Sequence, residues 1–269
     1  MTRVSRAAVL LPAAALLQFL PLQSAVAQDA PTASAPSFST FQPGPTGGFP
    51  DQQIYYNVRF DKLEVKPQSG RYGYEWDAEA WVGTDYDKIF IKTEGFNNGG
   101  AGRSAFGRTA RWESAEFQVL YSRLISYFFD FQVGVRQTIE PIARTYAVIG
   151  VEGLAPGLFE LDTQAFISQK GEVSSRLNAF YDLLLTNRLV LQPRFDVNVS
   201  AQRVPELSTG RGFTDFELSA RLRYEFTREF APYVGVSWER KVGETSAIAK
   251  REGETRSRVY LLGGLRLLF

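Results

Sequence analysis

This sequence predicts an all-β fold: a transmembrane antiparallel up-and-down β-barrel of about twelve strands, preceded by a disordered N-terminal arm. Three observations predict it. The stretch Leu189–Gln202 alternates strictly, with Leu189, Leu191, Pro193, Phe195, Val197 and Val199 on one face and Val190, Gln192, Arg194, Asp196, Asn198, Ser200 and Gln202 on the other. Successive side chains of a strand point to opposite faces, so this is a period-2 segment with one greasy and one polar side. It is longer than the roughly 5–6 residues of an ordinary strand and matches the roughly 9–11 tilted residues, plus overhang, that cross a bilayer. Second, similar segments recur along the chain. Third, the links between them alternate between short and long, as in bacterial outer-membrane barrels.

Taken in order, Met1–Ala27 reads as a secretory leader: Arg3 and Arg6 supply the charged region, Ala7–Leu20 the apolar stretch, and Ala25-Val26-Ala27 the small-residue cleavage site. Residues 28–53 are rich in Pro, Gly, Ser and Ala and carry too few large apolar residues to form a core, which predicts a flexible periplasmic arm. The barrel follows over 54–269. Its segments are Ile54–Lys66, Tyr72–Val82, Asp87–Phe96, Trp112–Ile125, Phe128–Gln137, Arg144–Leu154, Leu158–Ser168, Ser174–Leu184, Leu189–Gln202, Thr214–Phe226, Ala231–Lys241 and Ser257–Phe269. Short links fall at Gly83–Tyr86, Ser126–Tyr127, Ala155–Gly157, Leu185–Arg188 and Thr227–Phe230. Asn97–Arg111, Arg203–Phe213 and Val242–Arg256 are long and predicted to be external loops, with Gln169–Gly171 a short exception on that side. An even strand number places both termini in the periplasm. The last segment ends on Phe269, with Val259, Leu261, Leu265 and Leu267 on the same face.

Composition excludes much chemistry. The chain has no Cys, no His and one Met, at position 1. Ser-His-Asp and Cys-His sites, imidazole-held zinc and the usual general base are therefore absent, and an enzyme is not expected. The formal charge is +1. Loss of Arg3 and Arg6 with the leader makes the remainder slightly acidic, which gives no electrostatic footprint for nucleic acid.

Alternation alone does not say which face is outside. Tyr72, Tyr74, Trp76, Phe216, Tyr224, Phe226 and Trp238 fall on apolar faces near strand ends, the pattern of interfacial girdles against outer-membrane lipid. The lumen then receives a nearly balanced set of acids and bases running from Glu75 on the second strand to Arg266 on the last, expected mostly as paired or solvated wall residues. Within it, Glu75, Asp77 and Glu79 recur at i, i+2 and i+4 on one strand, and Glu94 and Glu116 stand on the next two. These five carboxylates are the candidate cation-binding residues. As hard oxygen ligands they do not suit Cu(I), which favours thiolate or thioether sulfur.

The segments AEAWVGTDYDKIFIKTEG (Ala78–Gly95), VLYSRLISYFFDFQVGVRQ (Val119–Gln137), YAVIGVEGLAPGLFELD (Tyr146–Asp162), YDLLLTNRLVLQPR (Tyr181–Arg194) and LRYEFTREFAPYVGVSWERKVG (Leu222–Gly243) resemble, in order and spacing, the copper-resistance protein B family of bacterial outer-membrane proteins. The resemblance implies an outer-membrane barrel of copper tolerance and copper ion homeostasis. It also implies copper ion as the bound species, here weakly held, and work beside periplasmic copper oxidase or export proteins. Members of the family commonly carry a Met- and His-rich arm before the barrel, whereas residues 28–53 here contain neither. Copper capture by the arm therefore does not carry over, and the other expectation is a non-selective porin or structural barrel that no longer binds copper.

Overall fold

The computed structural model describes residues 53–68, 71–97 and 112–269. The predicted leader, nearly all of the predicted arm and most of the Asn97–Arg111 connection lie outside the described residues.

Among the described residues thirteen strands follow one another: β1 Tyr55–Gln68, β2 Arg71–Gly83, β3 Asp87–Asn97, β4 Ser114–Ser126, β5 Phe129–Glu140, β6 Arg144–Ala155, β7 Phe159–Ser168, β8 Val173–Phe180, β9 Leu183–Leu184, β10 Leu189–Ser200, β11 Gly212–Tyr224, β12 Phe230–Lys241 and β13 Ser257–Leu268. Strands β8 and β9 are two pieces of one stave, since both pair with β10. The predicted twelve segments are thus twelve staves, with boundaries shifted by one to a few residues. Each stave pairs antiparallel with the next, and β13 returns to β1 with Arg59 opposite Leu268 and Val65 opposite Gly263, which closes the sheet. Closure leaves no unpaired sheet edge among the described strands. Most staves carry 10–14 residues, about 33–46 Å of extended chain, and at a tilt of about 40° they cover an apolar band about 25 Å tall with room to spare.

The outside is apolar. Val119, Val133, Val135, Ile149, Leu218, Val236 and Leu261 are among the many large hydrophobic side chains left exposed on it. In water such a continuous greasy surface would be unfavourable by about 25 cal/mol for each Å² of apolar area, whereas lipid tails accept it. Aromatic side chains gather toward the stave ends: Trp76 meets Trp112 edge-on at 4.6 Å and Phe216 meets Trp238 at 5.3 Å near one end, and Tyr224, Phe226 and Phe230 stack near the other. The Trp76 ring lies across Gly95, where a Cβ would come within 2.0 Å of it, so glycine makes room for this contact.

The inside departs from a purely polar wall. Phe90, Leu120, Tyr146, Val148 and Phe166, on β3, β4, β6 and β7, form a buried cluster facing the lumen, with Trp81 packed against it. The first stave departs too. A register shift between Phe60 and Lys62 breaks its alternation, as a β-bulge does, so that Arg59 and then Lys62, Glu64 and Lys66 all turn inward despite their mixed parity.

The Val242–Arg256 connection, expected as a plain loop, contains a helix, α1 (Gly243–Arg251). It buries Thr245, Ile248 and Ala249. Thr245 accepts the Gly210 amide at 2.9 Å and Glu244 the Arg211 amide at 2.9 Å, which ties α1 to the β10–β11 connection. That connection carries its own short 3₁₀ turn, Pro205–Leu207. Gly253, at φ +76°, ends the helix: its amide returns to Lys250 and the Glu254 amide to Ala249, the paired closure that favours a left-handed glycine.

Candidate functional site

The lumen is built of charge pairs that reach across staves. Glu75, first of the five predicted carboxylates, accepts from Lys62 Nζ at 2.8 Å and contacts Lys66 Nζ at 2.6 Å. Asp77 lies 3.7 Å from Arg194, and Glu79 3.1 Å from Arg59. Glu94 pairs with Arg176, and Glu116 contacts Arg136 and Arg176, each at 3.2 Å, while accepting from Gln118 Nε2 at 3.0 Å. Every one of the five faces a cation. Among the described residues, no group of three or more His, Cys, Asp or Glu side chains is arranged to grip a metal ion directly.

Alternation explains why these groups meet. Lumen positions at i, i+2 and i+4 stack along each stave, and antiparallel pairing sets Glu79 beside Lys92, Asp77 beside Glu94, and Glu152 beside Asp162. Curvature then brings distant staves together. Lys92 on β3 reaches Glu152 at 2.6 Å and Asp162 at 3.0 Å, and Gln132 donates to the same Glu152 at 2.8 Å. Arg136 lies between aromatic faces, its guanidinium 4.2 Å from the Phe166 ring centre and 4.7 Å from that of Tyr146. A cation held over two rings away from water gains on the order of 2 kcal/mol from each favourable face, which fixes this wall.

A cavity of about 310 Å³ opens within this framework. Asp77, Glu79 and Glu94 line it, so three of the five predicted residues come together; Glu75 and Glu116 lie outside its lining. The lining also includes Gln118, Glu152, Glu160 and Asp162, together with Asp61 and four cations, Arg59, Lys92, Arg176 and Arg194. Carboxylates therefore outnumber cations by seven to four. Residues 152, 160 and 162 fall on the polar face by alternation, but their meeting with β2 and β3 depends on how the closed sheet curls. No local pattern in the sequence carries that information.

The cavity faces one end of the barrel. It shares Arg59, Glu79, Glu152, Gly153 and Leu154 with a second space of about 380 Å³ that runs to Tyr127 and Phe128, in and beside the short β4–β5 turn. Charged lumen groups toward that end remain partly wetted, with Asp182 29% and Glu152 26% exposed. Buried and part-exposed charges occur at both ends: Arg223 beside Asp182 is 3% exposed, and toward the long connections the Lys66 and Arg144 side chains are each 1% exposed while Glu239 and Glu94 are 35% and 33%. Arg144 is held there by Glu172 and Glu206, and Lys170 joins Glu206 at 2.7 Å.

A closed barrel with an apolar exterior and a charge-laced lumen is, as a class, an inside-out β-barrel suited to a lipid bilayer. The chain belongs to the copper resistance protein B family: the family described as "Copper resistance protein B precursor (CopB)" matches residues 54–269. It is 42% identical over 220 residues to Copper resistance protein B of Escherichia coli, covering 81% of this chain and 71% of that protein. It is 37% identical over 210 residues to a Copper resistance protein B homolog of Pseudomonas syringae pv. tomato, covering 78% and 68% respectively. Among solved structures it is similar to the KdgM porin (TM-score 0.45, 10% identity) and the NanC porin (TM-score 0.47, 11% identity), each covering 79% of this chain and 99% of the porin.

Proposed function

We propose that this chain is a non-enzymatic outer-membrane barrel of copper tolerance, delivered through a cleaved leader, that handles copper ions in its lumen from the periplasmic side. Membership of the copper resistance protein B family across the whole barrel is the observation that carries the reading. The architecture supports its details. Outer-membrane barrels keep short turns on the periplasmic side, so the space beside Tyr127 and Phe128 that adjoins the cavity would face the periplasm, where copper oxidase or export proteins would meet it.

The copper so handled is Cu(II), weakly held. The chain contains no Cys or His, and Met1 leaves with the leader, so only oxygen groups remain, and these are poor ligands for Cu(I). Asp77, Glu79 and Glu94 line the cavity as the acidic surface, with Glu75 and Glu116 holding the cations behind it. The test compares copper sensitivity and periplasmic copper content in cells with and without this protein. Greater sensitivity and altered periplasmic copper on its removal are expected. Unchanged values for both would overturn the proposal.

A further inference from the structure

Two of the long connections do more than join staves. The β10–β11 connection doubles back on itself: Val204 and Thr209 exchange backbone hydrogen bonds at 2.9 and 3.1 Å around the turn at Pro205–Leu207. One flank of this small hairpin is fixed to α1. The Gly210 amide bonds Thr245, the Arg211 amide bonds Glu244, and Ser208 Oγ donates to Glu252 at 3.2 Å. The two connections approach so closely that a Cβ on Gly210 would lie 2.5 Å from the Glu244 Cβ. Val204, Ile248 and Ala249 are buried although all three lie outside the barrel wall.

The hairpin tip is fixed to other staves. Glu206 pairs with Arg144 of β6 and, at 2.7 Å, with Lys170 of the β7–β8 turn, while Gln202 donates to the Gly171 carbonyl of that turn at 3.0 Å. Arg144 shares the lumen face of β6 with Tyr146 and Val148. Its partner therefore approaches on the lumen side, and the hairpin from β10 passes over the ends of β7 and β8 to reach it. We propose that the β10–β11 hairpin and α1 form one strap across this side of the external mouth, latched to β6 through Glu206, and that release of the latch opens the lumen to solutes from outside. The inference takes the end with the long connections as external, in keeping with outer-membrane barrels. The tip is the part poised to move. Glu206 and Lys170 are each half exposed, and exposed ion pairs are worth little, whereas the α1 flank is held by hydrogen bonds from backbone amides. Arg144 keeps Glu172 when Glu206 departs, so opening strands no buried cation.

The chain contains no Cys, so one introduced cysteine is the only thiol. Ser174, on the lumen face of β8 between Phe166 and Ser200, stands below the strap, and Ser174→Cys keeps its size and shape. Barrels carrying this change would be reconstituted in lipid vesicles and exposed from outside to a membrane-impermeant trimethylammonium methanethiosulfonate. An N-terminal epitope tag, cleaved by added protease only where the opposite mouth faces outward, sorts the two orientations. In barrels whose tag is protected, modification is expected to be slow with the latch intact and at least fivefold faster in Glu206→Gln. Gly210→Ala, which forces the hairpin away from α1, should also speed it, and keeps the test open if Glu206→Gln folds poorly. Equal rates with the latch intact and in both variants would overturn the strap while leaving the copper reading untouched. Faster modification of Glu206→Gln from the tagged side than from the strapped side would overturn it as well, because the opposite mouth would then be the way in.

Discussion

Arg221 Nε on β11 donates to Glu64 Oε1 on β1 at 2.6 Å, and both side chains are withdrawn from solvent. Tyr233 on the intervening β12 donates its hydroxyl to the same oxygen at 3.0 Å. The pair therefore spans the closure of the barrel, skipping over β12 and β13. Removing one partner strands the other charge in a dry wall, which typically costs about 3–5 kcal/mol, whereas replacing both with apolar groups is often nearly neutral. Arg221→Met should lower the unfolding free energy of the folded barrel by about that amount, and the double variant Glu64→Leu/Arg221→Met should recover most of it. Equal losses in the single and double variants would show that the pair itself is not the stabilising unit.

The seam has a second fastening. Phe269 and Val58 exchange both backbone hydrogen bonds, at 2.9 and 3.0 Å, while the Phe269 ring stays exposed on the outer face. Deleting Phe269 removes both bonds and the ring; Phe269→Ala removes only the ring. The deletion should accumulate markedly less heat-modifiable, folded barrel than Phe269→Ala, measured on unheated gels. Wild-type levels in the deletion would show that the terminal residue is dispensable.

Val135 sits at mid-height on the outer face of β5, 51% exposed, opposite Val119 of β4. Against lipid, an arginine near the bilayer midplane costs about 2–4 kcal/mol. Val135→Arg should destabilise the barrel by that amount in vesicles, by denaturant titration. A change below about 0.5 kcal/mol would mean that this face does not meet lipid.

At the end with the long connections, the hydrogen bond from Lys170 and then its charge, with Arg144 adding to them, hold the Glu206 carboxyl below the usual carboxylate range. A depressed carboxylate pKa contributes stability above the unfolded value, near 4.5, and loses it as pH falls through the folded value. Lys170→Met should thus lower the melting midpoint slightly at pH 7, and the gap from wild type should shrink as pH falls below about 4.5. A gap that stays constant to pH 3 would contradict the assignment. Glu206 is solvent-facing, so the effect should be small.

The staves were legible because a stave with lipid on one side and a polar lumen on the other must alternate, and Leu189–Ser200 does so almost without exception. Three features were not read from alternation, each for a physical reason. The bulge after Phe60 inverts the parity of β1, which hid Lys62, Glu64 and Lys66 from the lumen set although they anchor Glu75 and Arg221. Helix α1 lies in a connection whose length alone marks it as a loop; Thr245, Ile248 and Ala249 at helical spacing, Lys250 and Arg251 in the last turn and Gly253 beyond them are its signals. Of the five grouped carboxylates Asp77, Glu79 and Glu94 line one cavity while Glu75 and Glu116 do not, and Glu160, Asp162 and Gln118 join them only through the curl of the closed sheet.

The central claim is that lumen carboxylates handle copper, and one comparison tests it most directly. A copper-sensitive strain lacking this protein would receive either the wild-type chain or an Asp77→Asn/Glu94→Gln/Glu160→Gln chain, matched for the amount of folded barrel in the outer membrane. Survival across a copper series and periplasmic copper content would then be measured. The account predicts that the wild-type chain restores tolerance and that the triple variant, folded and inserted, does not. Full restoration by the triple variant would contradict it.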